Sequence, residues 1–232
     1  MQGLILAAGK GTRMGNIEMP KCLLEINGIP IIKHQINSFK KNGIEDILVV
    51  TGYKSEMIHN LMKNQIRYIH NARFNEMNNI YSMWLAIKEL QEDFICVYGD
   101  LMFDKEILRK CLEIQSDIGM MIETNTRDET MKVRIENNKI VEVNKKIKKE
   151  HAAGNFIGMA KFSKNASKKL FYEIDNLIKG EKDGYYTTGI ENLIKKKLEV
   201  GYQTTDNLLW MDIDDEIEFK ESHKIFRGTG DF

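Results

Sequence analysis

Leu4-Ile5-Leu6-Ala7-Ala8 is an apolar run of strand length that breaks into Gly9-Lys10-Gly11-Thr12-Arg13, so the chain opens as a buried strand feeding a Gly-rich loop. Asn27-Gly28 marks a turn, and apolar residues then recur at helical spacing, Ile31, Ile32, Ile36 and Phe39, until Asn42-Gly43 stops the helix. Ile47–Thr51 is a β-branched strand ending at Gly52-Tyr53; residues 54–62 return to helical spacing and 66–69 form a short strand. Ile80, Met83, Trp84, Ile87 and Leu90 make one face of a helix opened by Asn78-Asn79. A second apolar run, Phe94-Ile95-Cys96-Val97-Tyr98, ends in Gly99-Asp100. Residues 105–115 read as a helix, Ile118–Glu123 and 131–135 as strands, and Asn137-Asn138 turns the chain into 140–143 as a hairpin. Residues 152–162 lead into helical 165–178 and helical 189–197, the last opened by Tyr185-Tyr186-Thr187-Thr188. This rhythm predicts an α/β fold: a Rossmann-like, mostly parallel twisted sheet flanked by helices, with a small antiparallel region from about Glu123 to Phe162.

Composition narrows the class. The 232 residues suffice for a sizeable core, and 42% hydrophobic with 29% charged residues is an ordinary globular balance. We expect one domain over 1–232, with a first part over about 1–120 and a second over about 121–232. Thirty-four basic residues balance thirty-four acidic ones, which gives no support to a nucleic-acid partner. No apolar run reaches membrane-spanning length, so membrane insertion is not expected. The N-terminus does not read as a signal peptide, and Cys22, Cys96 and Cys111 lack CxxC spacing, which points to reduced thiols in a cytoplasmic protein. The tail from Arg227 reads as frayed.

The chemistry concentrates in the first loop. Glycines at 9 and 11 let backbone approach an anion, and Arg13 and Lys21 supply charge. A Walker loop is excluded because Gly9-Lys10 is followed by Gly11, and a dinucleotide fingerprint because its third glycine position is Met14. Asp100 stands at the carboxyl end of a strand, where ligands bind in open α/β sheets. Trp210-Met211-Asp212-Ile213-Asp214-Asp215-Glu216 is a second acidic run, which also reads as a helix N-terminus favoured by the macrodipole.

Leu-Ala-Ala-Gly-x-Gly-x-Arg-Met over 6–14, with Pro20-Lys21-x-Leu23 downstream, resembles the signature of nucleotidyltransferases that load phosphorylated small molecules onto a nucleotide. Asn78-Asn79-x-Tyr81-Ser82 resembles the phosphocholine cytidylyltransferase-like branch of that family, although an Asn helix cap would look the same. The resemblance implies transfer of CMP from CTP to a small phosphorylated acceptor, with pyrophosphate released, serving decoration of a surface polysaccharide or lipid. It implies that Asp100 and Asp214 hold Mg²⁺, with Asp212 a neighbour, and that Arg13 and Lys21 are catalytic, Arg13 at the leaving end of the triphosphate and Lys21 at the α-phosphate. Leu6, Ala7, Ala8, Gly9, Gly11, Thr12, Gly52, Tyr53, Asn79 and Ser82 are then nucleotide contacts. Lys132, Arg134, Lys145, Tyr186 and Trp210 are acceptor contacts, with Lys146 an alternative to Lys145. Relatives that bind phosphocholine present an aromatic near 131–134, where this chain has Lys132 and Arg134; that departure suggests a zwitterionic or carboxylate-bearing acceptor such as a phosphorylated amino acid, or else a solvated strand face. A homodimer remains open. The alternatives are a sugar-1-phosphate nucleotidyltransferase using UTP, dTTP or GTP, and a non-catalytic nucleotide-binding module; the second fits poorly with Arg13, Lys21, Asp100 and Asp214 together.

Overall fold

The first half of the chain forms β1 (Gln2–Ala7), the short pair β2 (Glu25–Ile26) and β3 (Ile29–Pro30), α1 (Ile31–Lys41), β4 (Ile47–Thr51), α2 (Ser55–Met62), β5 (Arg67–His70), α3 (Asn79–Glu89), β6 (Phe94–Tyr98), β7 (Leu101–Phe103) and α4 (Lys105–Glu113). The second half forms β8 (Ile118–Glu123), β9 (Lys132–Glu136), β10 (Lys139–Asn144), β11 (Gly154–Phe162), α5 (Lys164–Lys179), α6 (Thr187–Lys195), β12 (Val200–Thr204), β13 (Trp210–Asp212) and α7 (Glu216–Ile225). The computed structural model describes residues 1–15, 18–127, 130–181 and 183–227; tail residues 228–232, expected to fray, lie outside them.

β1 is buried along its whole length, which is why its sequence is continuously apolar rather than alternating. It lies inside a nine-stranded sheet of order β5-β4-β1-β6-β11-β8-β12-β10-β9. From β5 to β6 every pairing is parallel. β11 then enters antiparallel to both β6 and β8, β12 returns parallel to β8, and the β9–β10 hairpin closes the far side. The sheet is therefore mixed: parallel across the first half of the chain and mainly antiparallel across the second.

Strand alternation sends side chains into two separate cores. Leu4, Leu6, Val50 and Cys96 pack with residues of α3, α5 and α6 on one face. Ile5, Ala7, Val49 and Val97 pack with residues of α1, α2 and α4 on the other. A third cluster, Met14, Leu24, Ile26, Ile31, Met102, Ile213 and Phe226, joins the Gly-rich loop to β7 and to the end of α7. That cluster holds two remote chain segments against the carboxyl ends of β1 and β6. Among the described residues, no helix is long and apolar enough to cross a membrane.

Candidate active site

The Gly-rich loop leaves β1 where the sheet's parallel strands end. Gly11 adopts φ +67°, in the left-handed region, and a Cβ there would lie 2.8 Å from Cγ of Lys21. Glycine is thus required both by the backbone and by the lysine folded beneath it. Lys21 starts a 3-10 turn whose next residues, Cys22 and Leu23, are buried anchors. On the neighbouring strand, Gly52 presses on the same loop: a Cβ would meet the Ala8 carbonyl at 2.6 Å, and Tyr53 N–H donates to that carbonyl at 3.0 Å.

Asp100 follows β6 after Gly99, whose N–H donates to the Leu6 carbonyl at 2.9 Å. β7 then pairs antiparallel with β13, matching Asp212 to Leu101, and Ile213 N–H donates to the Asp100 carbonyl at 3.1 Å. This ribbon brings residues from opposite ends of the sequence together. Ligand oxygens of Asp100, Asp212 and Asp214 all lie within 4.8 Å of one another. Lys21 Nζ sits 2.8 Å from Asp100 Oδ2 and 2.5 Å from Asp214 Oδ1, and Arg13 Nη2 lies 2.6 Å from Asp214 Oδ2.

The acidic run thus divides its work. Asp212 and Asp214 enter the cleft, while Asp215 caps α7 by accepting from the N–H groups of Ile217 and Glu218. The capping expectation and the cleft expectation both describe this run, at different residues. Asp212, read from sequence as a neighbour, is a third member of the cluster. Its Oδ1 is buried with no hydrogen-bond partner among the described residues. Burial, with Asp100 and Asp214 close by, pushes its carboxyl well above the usual carboxylate range. Burial opposes charge on Lys21, but Asp100 and Asp214 outweigh that and hold its pKa above the ordinary lysine value.

The cluster suits a hard divalent cation. Its donors are all carboxylate oxygens, and one of them is buried and unpaired. Without a cation, burial and its two acidic neighbours favour the neutral form of Asp212; a divalent cation among the three would favour the carboxylate.

Other expected residues fall in different settings. Leu6, Ala7 and Ala8 are buried at the end of β1, whereas Gly9 and Thr12 are exposed in the loop. Ser82 is buried, and its hydroxyl accepts from Asn71 Nδ2 at 2.9 Å. Asn79 Oδ1 accepts from Tyr186 N–H at 3.0 Å. Its neighbour Asn78 donates to Asp183 twice at 2.7 Å, through its backbone N–H and its side chain. Ile80 N–H donates to the Gly184 carbonyl at 3.3 Å. The start of α3 is thus capped by the 183–186 loop and not by an Asn side chain.

Tyr186 is fully buried, edge-on to Tyr98 and Phe156 with ring centres 6.0 and 6.4 Å away. Lys132 is also buried, and its Nζ donates to the Lys145 carbonyl at 3.2 Å. Arg134 pairs with Glu142 at 3.1 Å and with Glu136, so its charge is engaged within the hairpin. Lys145 Nζ donates to the Tyr185 hydroxyl at 3.0 Å. Trp210 Nε1 donates to Glu123 Oε2 at 3.1 Å.

Residues 3–158 match the family model for the MobA-like NTP transferase domain. The chain belongs to that family. Among curated relatives, it is 35% identical over 106 residues to a choline-phosphate cytidylyltransferase of Streptococcus pneumoniae, an alignment covering 44% of this chain and 46% of the relative. It is 26% identical over 227 residues to a CTP:phosphoglutamine cytidylyltransferase of Campylobacter jejuni, covering 84% and 89%. The match thus spans about half of the pneumococcal relative and most of the Campylobacter one. Among solved structures, the CTP:phosphocholine cytidylyltransferase of Streptococcus pneumoniae superposes with a TM-score of 0.78 at 23% identity, covering 97% of this chain and 99% of that one. That likeness establishes the nucleotide-diphospho-sugar transferase type of fold.

Proposed function

We propose that the chain transfers CMP from CTP to a small phosphorylated acceptor and releases pyrophosphate. One observation carries the reading: Lys21 and Arg13 converge with Asp100, Asp212 and Asp214 beside the Gly-rich loop. Two relatives named as cytidylyltransferases support cytosine as the base.

The reaction joins two anions. An oxygen of the acceptor phosphate forms a bond to the α-phosphorus as the bond from that phosphorus to the bridging α–β oxygen breaks, and pyrophosphate departs with the electron pair. The nucleophile is already anionic, so no strong base is needed; charge neutralisation and in-line positioning supply the rate. Lys21, whose charged form Asp100 and Asp214 favour and which packs beneath Gly11, neutralises the α-phosphate. Arg13, on the exposed side of the loop, holds the leaving end. Asp100, Asp212 and Asp214 would hold Mg²⁺, which supplies charge stabilisation on the phosphates when bound.

The decisive assay is pyrophosphate release with each of CTP, UTP, dTTP and GTP against a panel of phosphorylated acceptors, with Mg²⁺ and with chelator. We expect turnover with CTP that chelation removes. Turnover confined to UTP, dTTP or GTP with a sugar 1-phosphate would replace this reading with the sugar-nucleotide one.

A further inference from the structure

We infer that Gln35 is a positioning residue for the transfer site: from α1 it clamps the Gly99–Asp100 turn and so aims the Asp100 carboxylate at Lys21 and at the divalent cation that the cluster would hold. The inference rests on the nucleotidyl-transfer reading of the same site and deepens it by naming a residue behind the cleft on which the reaction depends.

Gln35 interrupts the apolar face of α1. Ile32 and Ile36 flank it, Phe39 follows one turn on, and it is only 1% exposed. A glutamine buried there loses water at both ends of its amide, so its partners decide whether it is tolerated. Both of its hydrogen bonds go to one place. Nε2 donates to the Tyr98 carbonyl at 2.8 Å and to the Leu101 carbonyl at 2.8 Å. Oε1 is buried with no hydrogen-bond partner among the described residues, so the amide acts through its two donors. A residue kept for packing alone would be leucine or methionine, which fill similar space without burying an amide.

Those two carbonyls bracket the turn that carries Asp100. β6 ends at Tyr98 and β7 begins at Leu101, leaving Gly99 and Asp100 as the whole connection. Three elements hold it. Gly99 N–H donates to the Leu6 carbonyl of β1, and a Cβ on Gly99 would lie 2.9 Å from Cβ of Ala7. Ile213 N–H, just past β13, donates to the Asp100 carbonyl. Those hydrogen bonds are backbone to backbone and form once the segments pair, whereas the bonds from α1 need this side chain. A connection of two residues has four soft dihedral angles, so fixing the carbonyls on either side of it fixes the direction in which Asp100 leaves the chain.

The same helix sets the other half of the pair. Ile31 N–H, at the start of α1, donates to the Leu24 carbonyl at 3.0 Å, and Cys22 and Leu23 share a core with Ile32 and Ile36. Lys21 directly precedes those anchors. α1 therefore holds the Lys21 turn at its first residues and the Asp100 turn one helical turn later, and Lys21 Nζ meets Asp100 Oδ2 at 2.8 Å. Gln35 is neutral and bonds to backbone, so it adds no charge to the cleft; it supplies placement. A misplacement of about 1 Å is enough to cost on the order of a hundredfold in rate.

Gln35→Met keeps the length of the side chain and removes both donors. Gln35→Asn keeps the amide but stops one methylene short, and it serves if the methionine variant does not fold. Phe39→Leu is the control, because it loosens the same helix where that helix packs on Gly3, at the far end of β1. Mn²⁺, which suits the same oxygen ligands as Mg²⁺, is titrated onto the full chain and read by loss of the free-ion electron paramagnetic signal. Asp100→Asn identifies that binding as the cluster's. We expect the wild-type chain to bind Mn²⁺, the Gln35 variants to bind it about tenfold more weakly, and Phe39→Leu to match the wild type despite a lower Tm. In the pyrophosphate assay the Gln35 variants should lose about ten- to a hundredfold in kcat, with the acceptor KM roughly unchanged. Unchanged Mn²⁺ affinity in a folded Gln35 variant would overturn the proposal. So would equal weakening in Phe39→Leu, Mn²⁺ held as well by Asp100→Asn as by the wild type, or a wild type that leaves Mn²⁺ free. Weakened Mn²⁺ binding in the Gln35 variants, with no pyrophosphate released by the wild type from any nucleoside triphosphate, would support the clamp while sinking the transfer reading.

Discussion

At Gly11 two constraints coincide: a left-handed backbone and a lysine side chain packed where a Cβ would stand. Gly11→Ala is therefore expected to displace Lys21 as well as to cost about 1–2 kcal/mol for the left-handed conformation. The check is kcat for pyrophosphate release beside Tm; a normal kcat would show that Lys21 need not lie under the loop. Lys21→Met keeps the packing and removes the charge. It should lower kcat by roughly 10²–10³-fold, the scale seen when a donor to developing charge is lost. Unchanged kcat in that variant would remove Lys21 from the reacting phosphates. The motif Leu-Ala-Ala-Gly made the loop legible in sequence, but the fit of Lys21 beneath it depends on the turn that Cys22 and Leu23 anchor.

Between elements, the bonds from Asn78, Asn79 and Ile80 to residues 183–186 tie the start of α3 to the acceptor side. Asn79→Ala removes the bond to Tyr186 N–H and should destabilise the fold by about 1 kcal/mol. Its kinetic signature should be a raised KM for the acceptor with little change for CTP, measured in the same assay. The reverse pattern would make Asn79 a base contact, as the motif suggests by itself. In β11, Gly158 adopts φ +93°, and a Cβ there would lie 2.7 Å from the Tyr98 ring. The register of β11 against β8 shifts between Phe156 and Ala160, so this glycine sits in a bulge that seats Tyr98. Gly158→Ala should cost about 1–3 kcal/mol of stability, read from urea unfolding. A cost near zero would mean that the bulge relaxes around the added methyl.

Across the whole molecule the three thiols are buried, Cys96 in one core and Cys22 and Cys111 in the other. Burial pushes the Cys111 thiol up to about 12 and raises Cys22 and Cys96 further still. Their folded pKa values exceed those of the unfolded chain, so their contribution to stability is complete below the unfolded value and is lost as pH rises toward the folded one. Between about pH 8.5 and 12 the unfolded chain holds fewer protons on these groups, and stability should fall by up to about 1.4 kcal/mol per pH unit for each thiol. Urea unfolding at neutral and alkaline pH, with a Cys→Ala triple variant as reference, measures this; identical pH slopes would contradict it. Native thiols should react with a disulfide reagent only as fast as the chain opens.

Much of this was decided locally. The apolar runs of β1, β4 and β6, the helical spacing of α1 and α3, and the Asn137-Asn138 turn follow from side-chain periodicity and turn chemistry, which neighbouring residues alone set. The charged loop was legible for the same reason. β12 was not: Val200-Gly-Tyr-Gln-Thr has no strong apolar pattern, and it becomes a strand because β8 supplies a parallel partner and Gly201 packs against Ser116. Nor could the sequence say that Asp212 would join Asp100 and Asp214, that Ser82 would turn inward to Asn71, or that Arg134 would be held by two glutamates. Those outcomes depend on which segments meet across the sheet and on what each charge finds within hydrogen-bond reach. Local patterning determined the elements and the cationic loop; only the antiparallel pairing of β7 with β13 decided that three carboxylates would share one cleft with Lys21.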